Sequence, residues 1–315
     1  MASGGASAGV ESSITENVQQ IRDVLLSEGS NVARIEELLV AAARILAVSD
    51  AGSGREALLS EEVLEQFLRY STKPCTLGSK DAAAKCVVNA SIGSTRAQQA
   101  LVTLGAPSML LESLKHPISC VAAVAHVRCL LHLANSTDRG VQSAVLDLAE
   151  LPHVLVATLA HTVRKSDPPF PSGAHRTALA VDVLKLMYTA AVRRDGFGDE
   201  ATRTQVGLVL AHILRLPSHD SHTREVKLRA SDLLLCMPPG FAHFLAATDC
   251  VRPLLDLLRG QLRRVCIEAE RPAPLLVAPL AVLLRLVQES AEAKRQVKSI
   301  VFPNPVVEVG AKAGA

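Results

Sequence analysis

The chain has 315 residues, 49% of them hydrophobic but only 3% aromatic, with no tryptophan and a formal net charge of +2. So much apolar content excludes a generally disordered chain, and the scarcity of aromatics beside abundant Leu, Val and Ala favours helix on helix over a sheet. A near-neutral charge, with no basic stripe backed by stacking aromatics, excludes a dedicated nucleic-acid binder.

Residues 1–12 are rich in Gly, Ala and Ser and read as a disordered tail, lacking the basic start and apolar core of a signal peptide. Gly5-Ala6-Ser7-Ala8-Gly9 has the spacing of a nucleophile elbow, but no strand leads into it and no helix follows tightly. Helical periodicity starts at Ile14, Val18, Ile21 and Leu25 and resumes at Ile35, Leu38, Leu39, Ala42 and Ile45. Asp50-Ala51-Gly52-Ser53-Gly54 reads as a loop, followed by a helix over about 60–70 with Ser60 as N-cap and Glu61 and Glu62 in the first turn.

The stretch Lys85–Leu114 defines the repeating unit as helix, break, helix, break, helix. Val87, Val88, Leu101, Leu104, Met109, Leu110, Leu111 and Leu114 supply its buried faces, with breaks at Gly93 and Gly105-Ala106-Pro107. One such unit cannot bury its apolar side alone. A second follows over Val127–Leu159, with Cys129 aligned 43 residues after Cys86. Later counterparts begin at Leu184, Leu233 and Leu283, spaced 49 and then 50 residues apart, with insertions at 166–173 and 216–221. Such periods predict an all-α, armadillo/HEAT-like right-handed helical solenoid over 13–303, with a flexible tail at 304–315. The most apolar segment, 273–287, is interrupted by Pro274, Pro279 and Arg285 and is too short to span a bilayer. The seven cysteines, an odd number, read as reduced core thiols of a cytoplasmic protein.

Solenoids act through the surface lined by one helix of every unit. The polar faces of the equivalent helices carry Lys85 and Asn89, then Arg128, His132 and Asn135, then Asp182, Lys185 and Thr189, then Arg285 and Gln288. Two readings stand for these stripes: a groove for an amphipathic helix or extended peptide, or merely solvated faces. Cys120, His126, Cys129 and His132 are metal-ligand types on one helical stretch, but one helix cannot wrap an ion tetrahedrally, so they read as core residues. Arg193-Arg194 and Arg263-Arg264 leave two readings, contact with an acidic partner or, more commonly for such short charge runs, solvated helix ends.

Several blocks together resemble the synembryn family, exchange factors and folding chaperones for heterotrimeric G-protein α subunits. The family's leucine-cysteine-asparagine helix, followed by a serine and an alanine-glutamine, is matched by Lys85-Cys86-Val87-Val88-Asn89 and Ala97-Gln98. Its later helix of the type HAVNLLTNLP is similar to 228–238, and its basic RKxLKxxVLPP segment to 293–303. The resemblance runs over about 40–303. Asn304 replaces the family's second proline, Asp232 stands for an asparagine, and members run well beyond position 315.

The resemblance implies a cofactor-free regulator without covalent chemistry. It would grip the C-terminal helix of a G-protein α subunit, GDP-bound or nucleotide-free, in its groove and promote GDP release. The groove would be lined by Arg44, Lys85, Asn89, Arg128, His132, Asn135, Lys185, Asp232 and Arg285, with Lys294, Arg295 and Lys298 facing acidic groups of the partner. No nucleic acid and no direct membrane insertion are expected, membrane recruitment coming only through the partner. The rivals are an armadillo-type peptide-binding scaffold without exchange activity, and a hydrolase or metal enzyme.

Overall fold

A computed structural model of the chain describes residues 18–27, 32–48, 52–73, 75–163, 173–194, 197–217, 221–238, 241–268 and 273–301. Both expected tails and the Gly5–Gly9 motif lie outside them, as does most of the insertion at 166–173. Regular structure among the described residues is entirely helical. The chain forms two compact units, Met1–Thr202 and Arg203–Ala315.

The first unit holds α1 (18–26), α2 (Val32–Ala47), α3 (Gly52–Leu58), α4 (Glu61–Thr72), α5 (Leu77–Ala90), α6 (Thr95–Thr103), α7 (Ala106–Lys115), α8 (Cys120–Ala134), α9 (Arg139–Leu146), α10 (Leu151–Val163), α11 (Gly173–Arg193) and the start of α12 (Glu200–Arg215). Helix α3 begins inside the stretch read as a loop: a Gly-Ser-Gly start suggests a turn, but the register of Leu58, wholly buried, draws the segment into a helix.

The helix starts are written in short polar side chains. Thr76 accepts from the Ser79 amide, Ser94 from Ala97, Ser119 from Val121 and Ala122, and Asp138 from Gly140 and Val141. Gly105 ends α6 at φ 75°, a left-handed conformation that a side chain would strain, and Pro107 sits in the first turn of α7.

These helices stack in two layers. Helices α2, α5, α8 and α11 lie side by side, and α4, α7 and α10 pack behind them. Phe67, Leu101, Leu110, Leu130, Leu133 and Leu155 are wholly buried in this unit. Of the residues assigned to the core of the opening unit, Leu104 and Met109 remain half-exposed.

Polar bonds reinforce the stacking at the breaks. Gln98 Nε2 donates to the Ser91 carbonyl (2.8 Å), and Gln98 Oε1 accepts from the Ser136 hydroxyl of the next repeat (2.6 Å). One repeat on, Gln142 Nε2 donates to the Ser136 carbonyl and its Oε1 accepts from Arg193 (2.7 Å). The glutamine of the Ala97-Gln98 pair is therefore a structural clasp.

The second unit holds the rest of α12, then α13 (Ser221–Leu235), α14 (Phe241–Ala247), α15 (Val251–Glu268), α16 (Ala273–Glu289) and α17 (Ala291–Val301). Helix α16 packs against α13, α14, α15 and α17. Leu233 is buried, but the alignment that placed Leu283 beside it is off by one residue. Val282 and Leu286 face inward while Leu283 is half-exposed and Leu284 is 57% exposed, which restores a spacing of 49. A run as apolar as 280–287 hides its phase, so periodicity alone could not choose between neighbours.

Of the four residues with metal-ligand side chains on α8, His126 and Cys129 are core, while Cys120 and His132 are half-buried. Cys129 is buried, its thiol pushed up to about 12 by desolvation, and His126 is only 2% exposed, 2.7 Å from the Ser113 hydroxyl through Nδ1. No group of three or more metal-ligating side chains occurs among the described residues. Nor is any single described helix long and apolar enough to cross a membrane.

Two outcomes follow from this packing. Replacing Gln98 with Ala strands the buried Ser91 carbonyl and Ser136 hydroxyl and is expected to cost about 2 kcal/mol in urea denaturation. Burial, and secondarily the charge of Lys80, lowers His126 to about 3. Below the ordinary histidine value the unfolded chain takes up a proton that the folded chain refuses, so stability falls as pH drops through 6.5 towards 3. Between pH 7 and 5 the His126 contribution is about 2 kcal/mol, and the drop measured for the protein should flatten by that amount in His126→Asn.

Candidate functional site

A groove of about 900 Å³ opens on the layer formed by α2, α5, α8 and α11 in the first unit. Each helix contributes residues three or four apart, the spacing that puts side chains on one face: Val40, Ala43, Arg44 and Ala47 from α2, and Val121, Val124, Ala125 and Arg128 from α8. Lys85, Val88 and Asn89 enter from α5, and His175 and Ala178 from α11. The floor is alanine and valine, so the depth of the groove comes from side chains that are short. Its cations stand at the edges, where Arg44 and Lys85 are exposed.

Acidic groups share this surface. The Glu36 carboxylate lies against Gly78 in the first turn of α5, at the distance where a Cβ would collide with it. A carboxylate beside a helix N-terminus is favourably placed, and glycine at 78 allows the approach. Periodicity places Asp182 on a polar stripe, but it is 5% exposed and forms an ion pair with Arg128 Nε at 2.6 Å. Lys185 Nζ stands 3.7 Å from its other oxygen. One buried carboxylate thus orients two cations, and the trio keeps one net positive charge.

Four of the residues singled out from sequence, Arg44, Lys85, Asn89 and Arg128, meet in the groove. Asn89 is half-buried, and its Nδ2 donates to the Ala43 carbonyl (2.9 Å), so it fastens α5 to α2 as well as lining the wall. Lys185 is joined to the group through Asp182. His132 and Asn135 are not among the lining residues. His132 is half-buried, its Nδ1 2.9 Å from the Ser91 hydroxyl, and burial foremost lowers its pKa. Asn135 Nδ2 donates to Leu131 O at the end of its own helix.

The remaining candidates belong to the second unit. Asp232 pairs with Arg229 (3.2 Å). Arg285 donates to the Met237 carbonyl (2.8 Å) and pairs with Glu289 (2.7 Å), anchoring the end of α13 to α16. Lys294, Arg295 and Lys298 are exposed on one side of α17, Arg295 paired with Glu292 at 2.7 Å. Sequence reasoning missed Val40, Val124 and His175 as groove residues. The signal present was alanine at helical spacing (43 and 47, then 82, then 125), which marks a face with room above it.

Residues 42–312 match the family described as guanine nucleotide exchange factor synembryn. A comparison with curated protein sequences finds no match. Among solved structures, an engineered protein superposes with a TM-score of 0.57 at 16% identity, covering 86% of this chain and 98% of that one. A designed armadillo repeat protein gives 0.56 at 13%, covering 87% and 99%. Another, in complex with the peptide (KR)4, gives 0.54 at 14%, again covering 87% and 99%. At such identities the likeness speaks for the fold alone, which is the armadillo-type helical solenoid expected from the repeat period.

Replacing Asp182 with Asn keeps its volume but removes the charge that holds Arg128 and Lys185. Since both cations reach solvent, the expected loss is about 1–2 kcal/mol in chemical denaturation, below that of a fully enclosed ion pair.

Proposed function

Because the chain belongs to the synembryn family of guanine nucleotide exchange factors, we propose that it binds the α subunit of a heterotrimeric G protein and promotes GDP release. The subunit's C-terminal helix would lie in the groove of α2, α5, α8 and α11. The observation that supports this reading is the groove itself: an apolar alanine and valine floor about 900 Å³ in volume with Arg44, Lys85 and Arg128 at its edges. A helix about 10 Å across fills that volume with roughly two turns, its apolar side down and its polar side level with the charged rim.

The activity needs no covalent step. Drawing a helix out of the α subunit stabilises the form of that subunit whose nucleotide site is loosened. GDP release then accelerates only so far as the chain binds the nucleotide-free form more tightly than the GDP form, about 1.4 kcal/mol for each tenfold. Lys294, Arg295 and Lys298 on α17 would meet acidic groups of the partner, contributing mainly to association rate. The protein would work in the cytoplasm without a cofactor, reaching the membrane periphery through its partner.

The test is to mix the chain with GDP-loaded α subunit and follow nucleotide release and complex formation together. Release and a stable complex are expected. Arg44→Glu combined with Lys85→Glu should weaken the complex by about tenfold or more and slow release in parallel, since two rim charges reverse. A complex without release would make the chain a helix-binding scaffold, and the absence of any complex would sink the proposal.

A further inference from the structure

Helix α5 serves two cavities on opposite sides. Lys85 and Asn89 face the groove, while Lys80, about half a turn round the helix, lines a separate cavity of about 620 Å³ formed with α4 and α7. That volume lies within the range of small-ligand sites. Lys80 is 6% exposed, and among the described residues its ammonium has neither a hydrogen bond nor an ion pair. Lysine is almost never buried so far unless its charge is matched. Position adds to the cost: Lys80 is in the fourth residue of α5, near the positive end of the helix dipole, where a cation is disfavoured.

Lys73 and His116 stand exposed at its mouth, and Thr72 and Ser113 line its wall, their hydroxyls already bonded to the Leu68 and Leu110 carbonyls. The Glu112 carboxylate at the rim is engaged 2.6 Å from Lys115, which also holds Glu150 at 2.7 Å. Met109, assigned to the core from its spacing, instead lines this cavity together with the exposed Ile118. The result is a largely buried lysine whose ammonium opens on the cavity, with Lys73 and His116 outside it and the apolar Met109 and Ile118 beside them.

We infer that this cavity is a binding site for a phosphate monoester, with Lys80 receiving the phosphate, Lys73 completing its charge, His116 adding a ring N–H donor, and Met109 and Ile118 holding the apolar group that carries it. A dianion suits the site better than a single carboxylate, because one negative charge would leave the outer cation unmatched. The site is independent of the groove and of the exchange activity proposed for it.

The test titrates the full chain calorimetrically with inorganic phosphate, phenyl phosphate and the peptide Ala-Ala-phosphoserine-Ala-Ala. At least one ester should bind saturably and about tenfold tighter than inorganic phosphate, because only the esters reach the apolar walls. Tighter binding of the peptide assigns the phosphate to a partner protein, and tighter binding of phenyl phosphate assigns it to a free monoester. Lys80→Met, which fills the same space without charge, should lose binding by about tenfold or more while raising the thermal midpoint of the unliganded protein. Lys73→Ala with His116→Ala, both at exposed positions, should weaken binding by about tenfold without disturbing the fold. No saturable binding of either ester at millimolar concentration, or unchanged binding in both variants, overturns the inference.

Discussion

The amide of Gln98 is the point on which the first unit's stacking turns. Its nitrogen closes the break after α5 by taking up the Ser91 carbonyl, and its oxygen reaches Ser136 at the equivalent break after α8. A helix break exposes backbone groups that its own helix no longer satisfies, and burying them unpaired would cost more than the break contributes. One side chain answers for two consecutive breaks, so the position of each repeat is tied to the next by a directional bond as well as by apolar packing. Gln142 repeats the arrangement and hands it on to Arg193.

Division of labour on a single helix follows from this. Helices α2, α4 and α8 hold α5 in place, leaving its remaining residues free to differ around its circumference. Cys86 and Asn89 bond to the backbone of α2, through Leu39 and Ala43 respectively. Lys85 is released to the groove and Lys80 to the cavity behind. Fourteen residues therefore carry core, bonds to α2 and two unlike surfaces, because a helical turn of about 3.6 residues spreads neighbouring positions over all sides.

Legibility in the sequence tracked the kind of force involved. The breaks at Gly93 and Gly105 and the buried Leu101, Leu110 and Leu114 could be read locally, since turn chemistry and helical spacing are properties of a few adjacent residues. Arg44, Lys85, Asn89 and Arg128 could be grouped because they occupy the same face of equivalent helices. The burial of Asp182 and Lys80 could not be read, because both look like ordinary surface charges until a second helix covers them. His132 went the same way, its partner Ser91 lying 41 residues earlier. The phase of α16 was obscured by an excess of apolar residues rather than by a shortage of signal.

The reach of the cross-repeat bonds has a consequence for how the protein is made. Gln98 to Ser136 spans 38 residues, Asn89 to Ala43 spans 46 and Arg128 to Asp182 spans 54, each joining elements in neighbouring repeats. A nascent chain leaving the ribosome need expose only about fifty residues beyond a given repeat before that repeat meets every partner named in those bonds. The first unit can therefore set segment by segment during synthesis, with the apolar face of the latest repeat, and not of the whole chain, waiting uncovered at any moment.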